Sequence, residues 1–102
     1  MYKLKNADGK VAVIVSPGYG AGWSTWGEAE SCLDGELAQA ILDERPLEDL
    51  ELIAANNWNN QYAGGVEDCV VQWVQEGQPF EIDEYDGNES LREIYIDDFL
   101  VA

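Results

Sequence analysis

Residues 11 to 15 read Val-Ala-Val-Ile-Val, five apolar side chains in a row. A strand sends alternate side chains to opposite faces, so an unbroken apolar run must be covered on both. The run predicts a central strand, and the rest of the chain has to supply its cover. That cover must be assembled under a strongly charged skin, because 21 acids face 5 bases for a net charge of −16. With 46% hydrophobic and 11% aromatic residues, the chain is not a disordered acidic tail, which would be poor in both. A length of 102 residues predicts a single domain, 1–102, with one modest core.

The flanking sequence supplies candidate partners for that strand. Tyr2 to Lys5, the turn pair Asp8-Gly9 and the apolar run read as a hairpin. Asp34 is placed to cap a short helix through about Asp43, with Leu37, Ala40 and Ile41 on one side. Arg45-Pro46 ends it and opens a second helix. Glu48, Asp49 and Glu51 suit that helix's positive end, and Leu47, Leu50, Ile53 and Ala54 form an inward face to about Asn57. The last third predicts strands over 66–74, 79–85 and 91–96, separated by turns at Glu76-Gly77-Gln78 and Asp86-Gly87-Asn88. The expected fold is α+β. Its order is β-β-α-α-β-β-β, with a mostly antiparallel sheet of about five strands and two short helices packed on one face.

Charge excludes several partners. The first ten residues hold three lysines and one aspartate, and beyond them only Arg45 and Arg92 oppose twenty acids. Such a field repels nucleic acid and anionic membrane, whose binding relies on Lys and Arg at phosphates, and it attracts basic proteins. No apolar run is long enough for a signal peptide or a membrane helix. Cys32 and Cys69 have no metal-ligand spacing. Two isolated thiols suit a reducing cytosol, and a single disulfide between them is the alternative. The absence of histidine removes Ser-His and Cys-His couples. The expectation is a protein without catalytic residues, cofactor or metal.

Between the central strand and the first helix lies SPGYGAGWSTWG, residues 16 to 27, with four glycines, two tryptophans and no charge. Gly22 to Gly27 has the G-x-x-x-x-G spacing of a P-loop, but Glu28-Ala29 stands where Lys-Ser/Thr is needed. A glutamate there repels phosphate, so nucleoside triphosphate binding of that kind is set aside. Two readings remain. In one, exposed amides form an anion-binding nest, and Gly20, Gly22, Trp23, Ser24, Thr25 and Trp26 make a ligand or partner site. In the other, the glycines serve tight turns and the tryptophans are pinned into the core.

From Glu76 onward, nine acids face Arg92 alone. Residues 82–93 approach a calcium-loop pattern, but Ile82 stands at a position that must ligate and the flanks read as strands. If Phe80 and Ile82 point inward, Glu81, Asp83 and Tyr85 point out. If Ile94 and Ile96 point inward, Glu93, Tyr95 and Asp97 point out. With Asp86 in the turn, the two strands would display rows of carboxylates about 6.6 Å apart along each strand. That is an acidic interaction surface, or else a solvated sheet face that resists edge aggregation.

The segments VAVIVSPGYGAGWSTW and YAGGVEDCVVQWVQEGQPFEIDEYDGNES resemble a family of small acidic phage-encoded accessory proteins of uncharacterised function. The resemblance implies a protein made in the cytoplasm of an infected bacterium, and by analogy an inhibitor of host defence. The functional expectation is a non-enzymatic inhibitor, anti-CRISPR-like or a DNA mimic, that binds a basic host protein. The alternatives are a nucleotide-like ligand binder using the Gly/Trp loop, and a homo-oligomeric structural protein or homodimer with the loop tryptophans at the contact.

Overall fold

In the computed structural model of this chain, the described residues are 1–18, 20–94 and 100–102, the side chain of Leu100 excepted. The apolar run becomes β1, Lys10–Val15, and its five apolar residues are all buried. It pairs antiparallel with β2, Val70–Gln75, in the register Lys10↔Gln75 through Val15↔Val70. A second sheet holds β3, Pro79–Tyr85, between β4, Asn88–Glu93, and the two-residue β5, Leu100–Val101. Among the described residues, two α-helices, α1 at Gly35–Leu42 and α2 at Leu47–Asn57, and three 3₁₀ turns complete the fold.

β1 is the middle layer. On one side Ala12 and Ile14 join Trp23, Leu37, Ala38, Ala54 and Val66 in a cluster formed with the helices. On the other, Val11, Val13 and Val15 pack with Cys32, Leu33 and Phe80, and with Ile82 and Leu91 of the second sheet. Each fully buried Val or Ile side chain contributes about 1.5–3 kcal/mol, so the double cover of this strand is a main source of the fold's stability.

The α+β class and the antiparallel pairing agree with expectation, but the single five-stranded sheet does not. An apolar run needs a layer on each face. The helices provide one and β3–β4 provide the other, so the strands divide into two sheets instead of joining edge to edge. The helices do lie on one face of the β1–β2 pair. The N-terminal hairpin keeps its turn, with Asn6 Oδ1 accepting from the amides of Asp8 and Lys10 at 3.0 Å each. Its first strand is reduced to one bridge, Lys5↔Val11. Tyr2 is drawn away instead, because its carbonyl accepts from Gly35 N–H at 2.8 Å at the start of α1.

α1 begins where its capping chemistry predicts. Asp34 Oδ1 accepts from the amides of Glu36 and Leu37 at 3.0 and 3.2 Å. α2 follows Pro46, with Arg45 paired to Asp49 one turn on. The strand expected over 66–74 starts late, because 63–68 form a 3₁₀ turn packed under the Gly/Trp loop. The last strand starts early, at Asn88. Asp86 and Gly87 both have positive φ, 52° and 84°, and make a two-residue hairpin turn that returns the chain at once. Among the described residues no helix is long and apolar enough to cross a membrane.

Candidate functional site

The loop leaving β1 closes around a carboxyl group supplied by the chain itself. Glu89, on β4, is 1% exposed. Its Oε1 accepts from Ser16 N–H at 3.0 Å. Its Oε2 accepts from Trp23 N–H at 2.8 Å, Thr25 N–H at 3.0 Å and Thr25 Oγ1 at 2.5 Å. The backbone of Glu89 also donates to Ser16 O at 2.7 Å. Two glycines permit this approach. A Cβ on Gly22 would lie 3.2 Å from Glu89 Oε2 and closer still to Thr25 and Trp26, and one on Gly87 would run into the Gly20 carbonyl. The amides form the anion nest that the glycine spacing suggested, and its occupant is internal. The N–H groups of Trp23 and Thr25 are directed at Glu89, which removes the geometric support for an outside phosphate at this point.

The two loop tryptophans part company. Trp23 is 1% exposed and donates from Nε1 to Ser31 O at 3.1 Å. It is a core residue, which corrects its assignment to a ligand site or a subunit contact. Ser24 is buried beside it. Gln61 stitches the loop from outside, donating to Ser31 Oγ at 3.1 Å and accepting from Glu28 N–H at 3.0 Å.

Trp26 is 51% exposed and links the loop to the acidic hairpin. Its Nε1 donates to Glu84 Oε2 at 3.2 Å, and Gly87 N–H donates to the same oxygen at 2.7 Å. The Gly87 amide first, and the Trp26 indole second, hold the Glu84 carboxyl below its ordinary range. Trp26 therefore sits against Glu84 and the Asp86-Gly87 turn, whereas the 78% exposed Tyr85, opposite Asn88, is on the other face of the hairpin. Two regions that are separate in sequence meet here, and Glu84, like Glu89, is a residue that sequence reasoning missed.

Cross-strand partners share a face, so the register Glu81↔Arg92, Asp83↔Ser90 and Tyr85↔Asn88 sets Glu81, Asp83 and Tyr85 together as expected. Glu93 is opposite Phe80 and belongs to the other face, so it does not extend that acidic row. The early start of β4 shifts the parity and puts Arg92 in its place. Arg92 pairs with Glu81 and, from Nε at 3.0 Å, with Asp83. Tyr95 and Asp97 lie outside the described residues.

Asp34 is the second buried acid, also 1% exposed. Besides capping α1 it accepts at Oδ2 from Asn57 Nδ2 at 2.9 Å and Trp58 Nε1 at 2.8 Å. It lines a cleft of about 680 Å³ with Tyr2, Glu36 and Trp58, but its oxygens are already engaged. Among the described residues no group of three His, Cys, Asp or Glu could hold a metal ion, and 82–93 form a β-hairpin rather than a calcium loop. Cys32 and Cys69 are free thiols packed in different clusters, on opposite faces of β1. Burial above all pushes Cys32 up to about 12, and pushes Cys69 up as well. Neither is a ready nucleophile at neutral pH.

No protein-family model, no curated protein and no solved structure matches this chain.

Proposed function

We propose that this protein is a non-enzymatic phage accessory protein. Its acidic surface binds a basic, nucleic-acid-binding or defence protein in the host bacterial cytoplasm, in the manner of an anti-CRISPR or a DNA mimic. The observation that carries the reading is the placement of the acids. Asp34 and Glu89 alone are buried among the described residues, and every other described acid is partly or fully exposed. Both arginines and Lys5 are already spent on neighbouring acids, which leaves most of the described carboxylates without a cationic partner. The contact is centred on Tyr85 and on Asp86 at the turn, with Glu81 and Asp83, which share Arg92, along the same face as Tyr85, and with Trp26 and Glu84 round the turn on the hairpin's other face. Here the exposed Tyr85 ring can stack on a guanidinium group while Asp86 and its neighbouring carboxylates pair with it. The phage resemblance supports the choice of a host target.

The test is capture from bacterial lysate on the immobilised protein, followed by a salt gradient. Basic nucleic-acid-binding proteins should be retained at low salt and released as salt screens the charges. An Asp83→Lys, Asp86→Lys double variant should lose them. Retention of no basic protein at low salt, or unchanged retention by that variant, overturns the reading.

A further inference from the structure

We infer that the outer edge of β2 is a docking site for an extended, lysine- or arginine-bearing peptide segment of a partner protein, which would join the β1–β2 sheet as a third strand. The direction of the backbone groups follows from β1. Ala12 N–H donates to Leu4 O, Lys10 O accepts from Asn6 N–H, and Ser16 exchanges with Glu89. The even-numbered residues of β1 thus face away from β2, and the odd-numbered ones bond to it. In the observed register Ala12 is opposite Trp73 and Ile14 opposite Val71. Antiparallel partners that do not bond each other turn their N–H and C=O groups outward. Val71 and Trp73 therefore present both groups at the outer edge, with no hydrogen-bond partner for them among the described residues.

Sheet edges are normally blunted by charge, proline or a bulge. β4 carries Arg92 and Glu93, and its Glu89 is bonded to Ser16. β2, Val-Val-Gln-Trp-Val-Gln, has no such device, and Val70 is 41% exposed. The chemistry of the ends selects the occupant. Glu67 and Asp68, both exposed, precede the strand, and Glu76, already paired with Lys5, follows it. A second copy pairing antiparallel with Val71 against Trp73 would set Asp68 of each copy against Glu76 of the other, between two chains of charge −16. A basic strand meets attraction where a second copy meets repulsion. Its alternate residues would be apolar beside Val71 and Trp73, which pack on the helix-side cluster, and cationic toward the Glu67–Asp68 end. Strand addition of this kind takes affinity from main-chain bonds and specificity from alternate side chains.

The site is separate from the acidic hairpin, and its test is separate too. Amide exchange of the intact chain is measured with a short synthetic peptide alternating lysine and valine. Slowing of the Val71 and Trp73 amides by about tenfold or more, unaltered by Asp83→Lys with Asp86→Lys, is the expected result. A Val71→Pro variant removes an outward N–H and no β1–β2 bond, so it should fold and lose the effect. The wild-type exchange result stands even if that variant does not fold. The inference is overturned by absence of slowing. It is also overturned by equal slowing with a glutamate–valine peptide or with a lysine–proline peptide that cannot extend the ladder. Slowing that rises with protein concentration in the absence of peptide assigns the edge to a second copy and overturns it as well.

Discussion

Glu89 and Asp34 are equally buried, and in both every carboxyl oxygen is engaged. Their partners come from different distances along the chain. Asp34 takes two of its bonds from Glu36 and Leu37, within its own helix start, and Asn57 and Trp58 at the end of α2 complete the set. All the donors to Glu89 lie 64 to 73 positions away. One acid caps a helix that it also begins, whereas the other ties a loop to a strand at the far end of the chain. Buried donors that lose an acceptor cost far more than the net worth of the bond. The long-range knot should therefore be the more expensive of the two to cut, because no local structure survives to re-satisfy its donors.

Replacing Glu89 by alanine should have the largest effect. It strands the amides of Ser16, Trp23 and Thr25, and should lower stability by about 3–5 kcal/mol in denaturant unfolding. A loss below about 1 kcal/mol would mean that water replaces the carboxyl group and that the comparison fails. Asp34→Ala should cost about 2 kcal/mol, the upper end for an N-cap, because the Asn57 and Trp58 donors are lost with it. If it costs more than Glu89→Ala, the order argued above is reversed. Thr25→Val sharpens the picture by removing one hydroxyl from the nest, at about 1–2 kcal/mol. In the Glu89→Ala background the same change should have little further effect, and additive losses would place Thr25 outside the nest.

The smallest effect is one of pH. Burial, and after it the charge of Glu89, raise the Cys32 thiol from an ordinary 9.0 to about 12, against a lowering bond from Ser24. In that interval the unfolded chain has lost the thiol proton and the folded one retains it. The stability is whole below the ordinary value and falls as pH rises toward about 12. Unfolding free energies measured on the alkaline side should decline accordingly, and the decline should be shallower in a Cys32→Ala variant. Equal slopes would show that Cys32 does not carry this dependence. A Glu89→Gln variant that still folds should label faster at Cys32 with a thiol reagent, since one of the raising influences is gone.

Elements governed by their neighbours could be read in advance. Asp34 caps α1, Pro46 precedes α2, and β3 occupies 79–85, because caps, proline and period-2 alternation act within a few residues. Glu89 was hidden because it fell between the expected turn at 86–88 and the strand expected over 91–96. Only the two-residue turn at Asp86-Gly87 starts β4 at Asn88 and sends Glu89 inward with Leu91. Asn-Glu-Ser-Leu directly after Asp-Gly was the available signal. The same parity shift moved Glu93 off the acidic face and put Arg92 on it. The glycines of the loop announced a nest, but nothing in the loop itself could reveal what fills it.

The double-sided cover of β1 follows from five apolar residues in a row, and the acidic exterior follows from composition, since so many carboxyl groups cannot be desolvated. The sequence alone determined these features. Tertiary structure decided which layers cover β1, which tryptophan enters the core, and that the anion in the nest is the chain's own Glu89. Each of these depends on residues dozens of positions apart arriving together, and a side chain's surroundings exist only once they have.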